Sequence, residues 1–416
     1  MNKVAFVFPG QGSQYIGMGK DIFKEFQVAR EIYNISSEVL GIDLRNIIDN
    51  GSVEAISATE NTQPIVFTTS IAVLSVFKEM YNLKPYITAG HSLGEITALT
   101  SAGAINFEDA IEIVKNRSLF MKEAESNGSF AMYAIRNLHY KTVEEICDKF
   151  DYQNMVSVIS NYNSVDQVVI SGHEEALNYL KAELEKKGAT STKLKVSGAF
   201  HSPIMKDASI KLKNVLKKYK FNKFEYPVIS NVTGNIYGDS EDIVENLSNQ
   251  MIMPVQWSKT VRTFEQIGID TAVEIGGGKV LTNLIKANSQ NIKTYNMEKI
   301  SDLEKFQNEY KNIDSNKELS LVDRCISISV CTKNNNFNNV EYEKYVINEH
   351  KKLYELQSLL KNEERELTNS EKKETILILS NILKGKNVSK TEIDEKVNEL
   401  TKKYGISGEL FNERVI

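Results

Sequence analysis

A serine flanked by glycines is the first group in the chain that could act as a nucleophile. Residues 90–94 read Gly-His-Ser-Leu-Gly, which matches the G-x-S-x-G nucleophile elbow. In such an elbow the glycines let a strand and a helix approach closely, so that Ser92 would reach the mouth of a sheet. The helix N-terminus favours developing negative charge, and the backbone N–H of Leu93 can serve as an oxyanion donor. The pattern is short enough to occur by chance, so it gains meaning only between a strand and a helix.

A serine hydroxyl needs a general base, and the chain has five histidines. His91 adjoins the serine in sequence. His139 and His173 lie in polar contexts, and His350 lies far toward the C-terminus. For His91 we favour the interpretation of a packed neighbour. His201 lies where the chain is expected to re-enter its larger domain, and it is the only histidine well placed to be the base. The residues alone leave that role open.

Other patterns do not indicate a second chemistry. The Gly-Gly-Gly-Lys run at residues 276–279 lacks the G-x-x-x-x-G-K-[ST] spacing of a phosphate loop, so we favour a glycine turn after a strand. No pair of carboxylates at a suggestive spacing accompanies the serine, which leaves glycosidase chemistry unsupported. The three thiols Cys147, Cys325 and Cys331 show no metal-ligand pattern. An odd number of thiols in a long chain fits a reducing compartment.

The composition is that of a globular protein with more than one domain. The chain of 416 residues predicts two to four units, at about 100–200 residues per domain. A net charge of −5 gives no global field that would attract nucleic acid or an anionic membrane. The apolar run at residues 4–8 is too short for a signal-peptide core, and no run approaches about 18 apolar residues. We therefore expect a soluble, cytoplasmic protein without a nucleic-acid or membrane partner.

The chain around Ser92 is predicted to alternate between strands and helices. The apolar run at residues 4–8 is typical of a buried parallel strand. Ser92 lies between a predicted strand at residues 86–89 and a helix that starts at Glu95. Strand, sharp turn and helix are the order of an α/β sheet. The other elements expected here are helices around residues 23–40 and 63–80 and strands at residues 226–231 and 271–275.

Residues 128–197 are predicted to form a smaller domain inserted into the larger one. Its elements follow the order strand, helix, strand, strand, helix, strand, which is the split ferredoxin-like arrangement. The strands are expected at residues 130–135, 155–159, 167–171 and 190–196, and the helices at residues 139–150 and 174–187.

Beyond about residue 288 the chain becomes rich in Lys, Glu and Asn. One more strand is predicted at residues 327–331, before a polar run. Apolar residues at helical spacing then predict short amphipathic helices: Leu353, Leu356, Leu360, Ile376, Leu379 and Leu383. Because short isolated helices are marginal in water, these stripes must pack on the rest of the chain or on a partner. We favour a mixture, with the part up to about residue 339 packed and the distal helices available to a partner.

Several motifs, in the same order, resemble the malonyl-CoA:acyl carrier protein transacylase family. They are Phe-Pro-Gly-Gln-Gly-Ser-Gln at residues 8–14, Gly-His-Ser-Leu-Gly-Glu at 90–95, Arg117, Gly-Ala-Phe-His at 198–201, Asn-Gln at 249–250, Pro-Val-Gln-Trp at 254–257, Glu-Ile-Gly at 274–276 and Gly-Lys-Val-Leu at 278–281. The likeness covers roughly residues 1–290. It implies an α/β fold, with an α/β-hydrolase-like core at 1–127 and 198–290 and a ferredoxin-like subdomain at 128–197. The mostly helical extension at 291–416 lies beyond the part that resembles the family, whose housekeeping members generally end near this point.

The resemblance also implies catalytic roles for the matching residues. Ser92 would be the nucleophile and His201 the base. In this family a backbone carbonyl orients the imidazole, and Gln250 matches that position. The backbone N–H groups of Gln11 and Leu93 would be the oxyanion donors.

The acyl group would be recognised by two further residues. Arg117 would pair bidentately with the free carboxylate of a malonyl group, which suits the planar guanidinium better than a lysine. Phe200 resembles the bulky residue that crowds an α-methyl branch in malonyl-selective members. Gly277 departs from the family, which commonly has proline there. That difference loosens a turn without touching a catalytic role.

The resemblance implies transfer of a malonyl group from malonyl-CoA to an acyl carrier protein, with no bound cofactor or metal. The helical extension resembles free-standing, trans-acting acyltransferases of polyketide assembly lines, so either fatty acid or polyketide synthesis is expected. One alternative is an acyl hydrolase that clears stalled chains from carrier proteins, against which Arg117 argues. Another is a non-catalytic docking scaffold, which the set of Ser92, His201 and Arg117 disfavours.

Overall fold

The computed structural model describes residues 3–81, 83–196, 198–310, 320–332, 335–336, 338–363 and 365–406. The chain divides into two compact units. The first comprises Met1–Phe23, Val28–Leu74 and Lys84–Asp302, and the second comprises Lys24–Gln27, Ser75–Leu83 and Leu303–Ile416. None of the helices in the described ranges has the length and apolar character that a membrane span requires.

The described part of the chain forms eight strands, four in each of two sheets. They are β1 (Val4–Phe8), β2 (Ile87–Gly90), β3 (Phe130–Arg136), β4 (Ser157–Ser164), β5 (Gln167–His173), β6 (Thr190–Lys193), β7 (Thr271–Ile275) and β8 (Lys293–Met297). The first sheet has the order β2-β1-β7-β8, and the second has the order β4-β5-β3-β6. The protein is therefore a mixed α/β structure, as predicted.

The described part of the chain also forms nineteen helices. They are α1 (Lys20–Glu25), α2 (Gln27–Leu40), α3 (Leu44–Asn50), α4 (Val53–Ser57), α5 (Thr59–Met80), α6 (Leu93–Ser101), α7 (Phe107–Glu125), α8 (Tyr140–Lys149), α9 (Glu174–Lys186), α10 (Lys206–Leu216), α11 (Ile243–Gln250), α12 (Trp257–Gln266), α13 (Val280–Asn288), α14 (Ile300–Tyr310), α15 (Leu321–Cys331), α16 (Asn339–Tyr342), α17 (Asn348–Glu363), α18 (Asn369–Gly385) and α19 (Lys390–Lys403). Short 3₁₀ turns lie at Pro203–Met205 and Ser240–Asp242, and a π-helical turn lies at Glu343–Ile347. The helix predicted around residues 23–40 is thus two helices, α1 and α2.

The first sheet is parallel throughout. Strands β1, β2 and β7 are buried along their whole length, and β1 shows the continuous apolar run that is typical of strands buried on both faces. All three were predicted, β2 and β7 together with the glycine-containing turns that follow them. The sequence analysis missed β8, whose residues Lys-Thr-Tyr-Asn-Met show no apolar run because this strand lies at the sheet edge and is only partly buried.

The strand predicted at residues 226–231 is not formed. The segment runs beside β2 for a short distance only, through an isolated bridge between Thr88 and Val228. It cannot extend as a regular strand, because the chain turns back at Ser230, whose backbone N–H donates to the carbonyl of Asn235 at 2.9 Å. The segment nevertheless ends beside the elbow that holds Ser92.

The second sheet contains β3 to β6 and is antiparallel. With α8 and α9 its elements follow the predicted order βαββαβ. Alternate residues of its strands, including Tyr133, Ile135 and Ile170, form one apolar core with Leu177 and Leu180 of α9. The sheet thus carries its own core within the first unit.

The second unit is helical where it is described from Leu303 onward. Helix α18 packs against α15, α17 and α19, and it buries Ile376, Leu379 and Leu383 completely. In α17, Leu353 is buried, whereas Leu356 and Leu360 are half-buried. The apolar stripes are therefore covered mainly by the other helices of this unit. The expectation that the distal helices offer these stripes to a partner is not supported by this packing.

The strand predicted at residues 327–331 is wrong, because this segment belongs to helix α15. The alternation Ile-Ser-Ile-Ser-Val has the two-residue period of a strand. The helix starts earlier, at the N-cap Ser320, whose hydroxyl accepts the backbone N–H of Asp323. From there Leu321, Val322 and Cys325 lie on a buried helical face, and this longer period decides the structure.

The domain boundaries expected at residues 127/128, 197/198 and 290/291 stay a prediction. The compact units divide the chain differently, since the first runs to Asp302 and includes β8. The second unit includes Ser75–Leu83, which comprises the end of α5 and the residues after it. Here Phe77 in α5 and Tyr81 just after it pack on Phe306 of α14, with ring centroids 5.5 Å and 5.3 Å from that of Phe306.

Candidate active site

Ser92 lies at the sharp turn between strand β2 and helix α6. Its φ is 53°, in the left-handed region that non-glycine residues rarely enter. The flanking glycines make the turn sterically possible. A Cβ atom on Gly90 would lie 1.9 Å from the backbone of Gly94, and a Cβ atom on Gly94 would lie 2.0 Å from the carbonyl oxygen of Phe8. The glycine pattern therefore forms the predicted elbow, with the serine at the N-cap of α6.

His201 is the histidine that meets this serine. Its Nε2 lies 2.8 Å from Ser92 Oγ, and its Nδ1 lies 2.6 Å from the backbone carbonyl oxygen of Gln250. A carbonyl oxygen can only accept, so Nδ1 carries the proton and Nε2 is left to accept the serine proton. Burial, and then the charge of Arg117, lower the pKa of His201 to about 3. The imidazole is therefore neutral and able to act as a base.

The other four histidines are engaged elsewhere. His91 is a packed neighbour of the elbow, with Nε2 3.0 Å from Asn163 Oδ1 and its ring centroid 5.7 Å from that of Trp257. His139 caps helix α8, and His173 accepts the backbone N–H of Val156. The last of them lies in α17 of the second unit: His350.

Arg117 reaches the serine from helix α7 and is 1% exposed. Its Nη1 donates to Gln63 Oε1 at 2.6 Å. Its Nη2 donates to Gln250 Oε1 at 2.8 Å and to Ser92 Oγ at 3.1 Å. Among the described residues its buried Nε has no hydrogen-bond partner. Burial lowers the pKa of Arg117 to about 10, while the charge of Glu95 acts in the opposite direction, so the guanidinium stays charged at neutral pH.

The side chain of Gln250 joins the arginine to a buried carboxyl group. Its Nε2 donates to the backbone carbonyl of Ser92 at 2.8 Å and to Glu95 Oε2 at 2.7 Å. The other oxygen of Glu95 accepts the hydroxyl of Tyr237 at 2.5 Å. Burial raises the pKa of Glu95 to about 7, although these hydrogen bonds oppose the shift. Gln250 thus contributes its amide as well as the carbonyl oxygen that the sequence analysis singled out.

Ser92 lines a cavity of about 380 Å³. Its walls come from the second sheet, for example from Met132 of β3 and Val169 of β5, from the turns that follow β1 and β2, and from Leu281 of α13. Gln250 lies directly behind the cavity wall, where it bonds Arg117. All other residues that the sequence analysis proposed for the acyl site line the cavity: Ser92, His201, Arg117, Gln11, Leu93 and Phe200.

The glycine run at residues 276–279 leads from β7 into helix α13. Glu274 fixes this turn, because its carboxylate accepts the backbone N–H groups of Leu281 at 2.9 Å and Thr282 at 2.7 Å. The same helix forms part of the cavity wall. The interpretation as a structural glycine turn therefore fits. Within the described ranges no group of three or more His, Cys, Asp or Glu side chains could hold a metal ion.

Three residues of the polar network were missed in the sequence. Gln63 and Tyr237 carry hydrogen bonds to Arg117 and Glu95, and Asn231 contacts the backbone on both sides of His91. No local signal points to Gln63, because it lies in the polar first part of helix α5, Thr-Glu-Asn-Thr-Gln. Asn231 ends a segment that was predicted as a strand, and such strand ends often carry site residues in α/β folds. No local signal points to Tyr237.

The sequence and the fold both match known acyltransferases. Residues 5–320 match the family described as acyl transferase domain. The malonyl CoA-acyl carrier protein transacylase of Bacillus subtilis (strain 168) is 40% identical over 296 residues, which cover 71% of this chain and 93% of that protein. The protein of the same name from Escherichia coli (strain K12) is 39% identical over 287 residues, covering 69% and 93%.

Solved structures give the same result. The malonyl CoA-acyl carrier protein transacylase from Clostridium perfringens superposes with a TM-score of 0.71 at 37% identity, over 75% of this chain and 98% of that chain. A malonyl-transacylase in complex with a type II PKS acyl-carrier protein superposes with a TM-score of 0.72 at 35% identity, over 74% and 99%. On these matches, the chain belongs to the malonyl-CoA:acyl carrier protein transacylase family.

Proposed function

We propose that this protein transfers a malonyl group from malonyl-CoA to the phosphopantetheine thiol of an acyl carrier protein. The observation that carries the proposal is the meeting of three side chains in one cavity. Ser92 Oγ lies 2.8 Å from His201 Nε2 and 3.1 Å from Arg117 Nη2. A nucleophile with a neutral base and a buried cation suits an acyl donor that carries a carboxylate. The names of the relatives in Bacillus subtilis and Escherichia coli support the same activity.

The first half-reaction forms an ester on the serine. Ser92 Oγ attacks the thioester carbonyl while His201 Nε2 takes its proton. The backbone N–H groups of Gln11 and Leu93 stabilise the negative charge on the carbonyl oxygen. When the carbon–sulfur bond breaks, the imidazolium returns the proton to the departing CoA thiolate. In the second half-reaction the carrier thiol gives its proton to His201 and attacks the ester, and Ser92 recovers its hydroxyl.

Arg117 gives the reaction its acyl selectivity. The guanidinium is buried and charged, and within the described part of the chain no carboxylate is hydrogen-bonded to it directly, since Glu95 reaches it through the amide of Gln250. A malonyl carboxylate can therefore pair with it through charge-assisted hydrogen bonds. Phe200 in the cavity wall crowds an α-methyl branch, which disfavours methylmalonyl groups.

The finer features of the fold belong to the same proposal. The parallel sheet with a serine elbow after β2 supports an α/β-hydrolase-like core. The strand order β4-β5-β3-β6, with α8 between β3 and β4 and α9 between β5 and β6, supports a ferredoxin-like subdomain. We place the protein in the cytoplasm, in fatty acid or polyketide synthesis. The polyketide assignment is supported by the relative whose structure holds a type II PKS carrier protein and by the helical extension.

Intact-protein mass spectrometry tests the proposal. After mixing with malonyl-CoA, the protein should gain one malonyl mass within seconds, whereas Ser92→Ala should gain none. Arg117→Ala should lose malonyl transfer by roughly 10²-fold, because a charge-assisted pair is lost, and should lose acetyl transfer less.

Two results would contradict the proposal. If Arg117→Ala lowered malonyl and acetyl transfer equally, Arg117 would be structural and the selectivity argument would fail. If the wild type rapidly hydrolysed long neutral acyl chains from carrier proteins instead of transferring malonyl groups, the acyl hydrolase alternative would be correct.

A further inference from the structure

We propose that Asn231 is a positioning residue that holds the backbone of the nucleophile in its left-handed conformation. Its side chain meets the elbow on both sides of His91. The Nδ2 atom donates to the carbonyl oxygen of Gly90 at 2.6 Å, and Oδ1 accepts the backbone N–H of Ser92 at 2.6 Å. Asn231 is 1% exposed, so water does not compete for these two hydrogen bonds. The inference rests on the proposed role of Ser92 as nucleophile.

The position of Asn231 follows from the short parallel pairing beside β2. The backbone N–H of Thr88 donates to Pro227, and the backbone N–H of Ile229 donates back to Thr88 at 3.0 Å. The next step along a parallel ladder would pair residue 231 with Gly90 through the backbone. There the β2 chain bends into the elbow, and the amide of Asn231 replaces the missing backbone partner. A side-chain amide can do this because it offers a donor and an acceptor together, as a peptide group does.

This contact bears on the hydroxyl as well as on the fold. The left-handed φ of 53° at Ser92 directs Oγ toward His201 Nε2, and such a conformation persists only when its surroundings enforce it. Gln250 holds the carbonyl group of Ser92, and Asn231 holds its N–H group. Without Asn231, the buried N–H of Ser92 loses its partner and the serine can relax toward an ordinary backbone conformation. Oγ then moves away from the base.

The first test compares Asn231→Ala with wild type. We expect kcat for Ser92 acylation by malonyl-CoA to fall roughly 10²-fold, because small displacements of a nucleophile have effects of that size. KM should change less than about threefold, since Arg117 and the cavity walls are untouched. The matched control is Asn246→Ala, which removes a nearby asparagine that bonds Ser230 and Asp242 but not the elbow. This control should keep the wild-type kcat.

A second substrate separates this inference from the proposed function. Phenylmethylsulfonyl fluoride forms a sulfonyl ester on an activated serine, with the proton and fluoride leaving as HF, and it needs no malonyl-binding group. Asn231→Ala should slow this labelling of Ser92 about as much as it slows acylation. If wild type reacts with the sulfonyl fluoride but not with malonyl-CoA, the proposed function fails while the comparison of variants still tests Asn231.

Asn231→Asp gives a readout that a purely structural role would not move. Its carboxyl oxygen can still accept from Ser92 N–H, but only the protonated acid can donate to the carbonyl of Gly90. The ratio of the labelling rate of this variant to that of wild type should therefore fall as the pH rises. The melting temperature of both proteins is recorded at each pH, so that a loss of folding is not mistaken for a loss of rate. If the sulfonyl fluoride labels Ser92 in Asn231→Ala at the wild-type rate, the proposal is overturned. If that variant does not fold, a pH-independent rate ratio for Asn231→Asp would overturn it.

Discussion

At the scale of single residues, the site combines a neutral histidine with a charged arginine in a buried setting. Burial, and then the charge of Arg117, lower the pKa of His201 to about 3. A lowered pKa keeps Nε2 free to accept a proton over the whole neutral range. The carboxyl group of Glu95 behaves in the opposite sense, since burial raises its pKa to about 7.

The pH dependence of acylation follows from these directions. The pKa of His201 lies far below 6.5, so this histidine stays unprotonated between pH 8 and about 5. We therefore expect that protonation of His201 does not lower kcat/KM for Ser92 acylation in this range. Glu95 titrates near 7, so the profile should be measured in Glu95→Gln as well, to keep the two groups apart. In the same assay His201→Ala should be slower by about 10²–10⁴-fold, the usual contribution of a general base. A fall with midpoint near 6.5 that persists in Glu95→Gln would contradict the neutral, depressed state of His201.

At the scale of helices and strands, helix α18 organises the second unit. It begins with a capping box between Thr368 and Glu371 and buries Ile376, Leu379 and Leu383 against its neighbours. These residues formed one of the apolar stripes in the sequence. Their packing partners are other helices of the extension, so the stripe is part of a small helical core.

A pair of leucines in α18 tests that packing. Leu379→Ala should destabilise the second unit by about 2–5 kcal/mol, because it removes a fully buried side chain. Leu377→Ala in the same helix should change stability by less than about 0.5 kcal/mol, since Leu377 is 49% exposed. Urea denaturation and limited proteolysis measure both variants. If the two substitutions lowered stability equally, α18 would not pack as described. Self-acylation of Ser92 is the control and should be unchanged in both variants.

At the scale of the whole molecule, the C-terminal extension does not form a unit by itself. The second unit also takes in the end of α5, where Phe77 and Tyr81 pack on Phe306. The hydroxyl of Tyr81 donates to the backbone carbonyl of Leu303 at 2.5 Å. Helix α5 also carries Gln63, which bonds Arg117 in the candidate site.

Two truncations should therefore behave differently. Removing residues 340–416 leaves Phe306 on Phe77 and Tyr81, so we expect a less stable protein that still acylates Ser92. Removing residues 303–416 uncovers these aromatic residues of α5, and we expect aggregation or loss of acylation. Melting temperature, light scattering and malonyl labelling measure both proteins. If the shorter truncation also abolished acylation, the distal helices would be required for the fold of the catalytic part.

Much of the site and its surroundings could be predicted from the chain itself. The elbow is visible in the sequence, because Gly90, Ser92 and Gly94 lie within five consecutive residues and only glycine fits at positions 90 and 94. Strands β2 and β7 each precede a glycine-containing turn, and the buried strand β1 was visible as an apolar run. The edge strand β8 was not, and the alternation in α15 indicated the wrong element. For β8 the deciding factor was its place at the sheet edge, which is set by neighbours distant in sequence. For α15 the helical period that starts at Leu321 overrode the two-residue alternation.

Five consecutive residues, 90–94, indicate a serine nucleophile from the chain alone, because their glycines allow the backbone to bend at Ser92. How that serine is held depends on contacts between segments that lie far apart in the chain. Asn231 reaches it across 139 positions and Gln250 across 158, and Tyr237 reaches Glu95 across 142. Whether a distant amide or hydroxyl faces the elbow depends on the packing of whole segments. Spacing along the chain carries no record of it, because a buried polar group can find its partner anywhere in the fold.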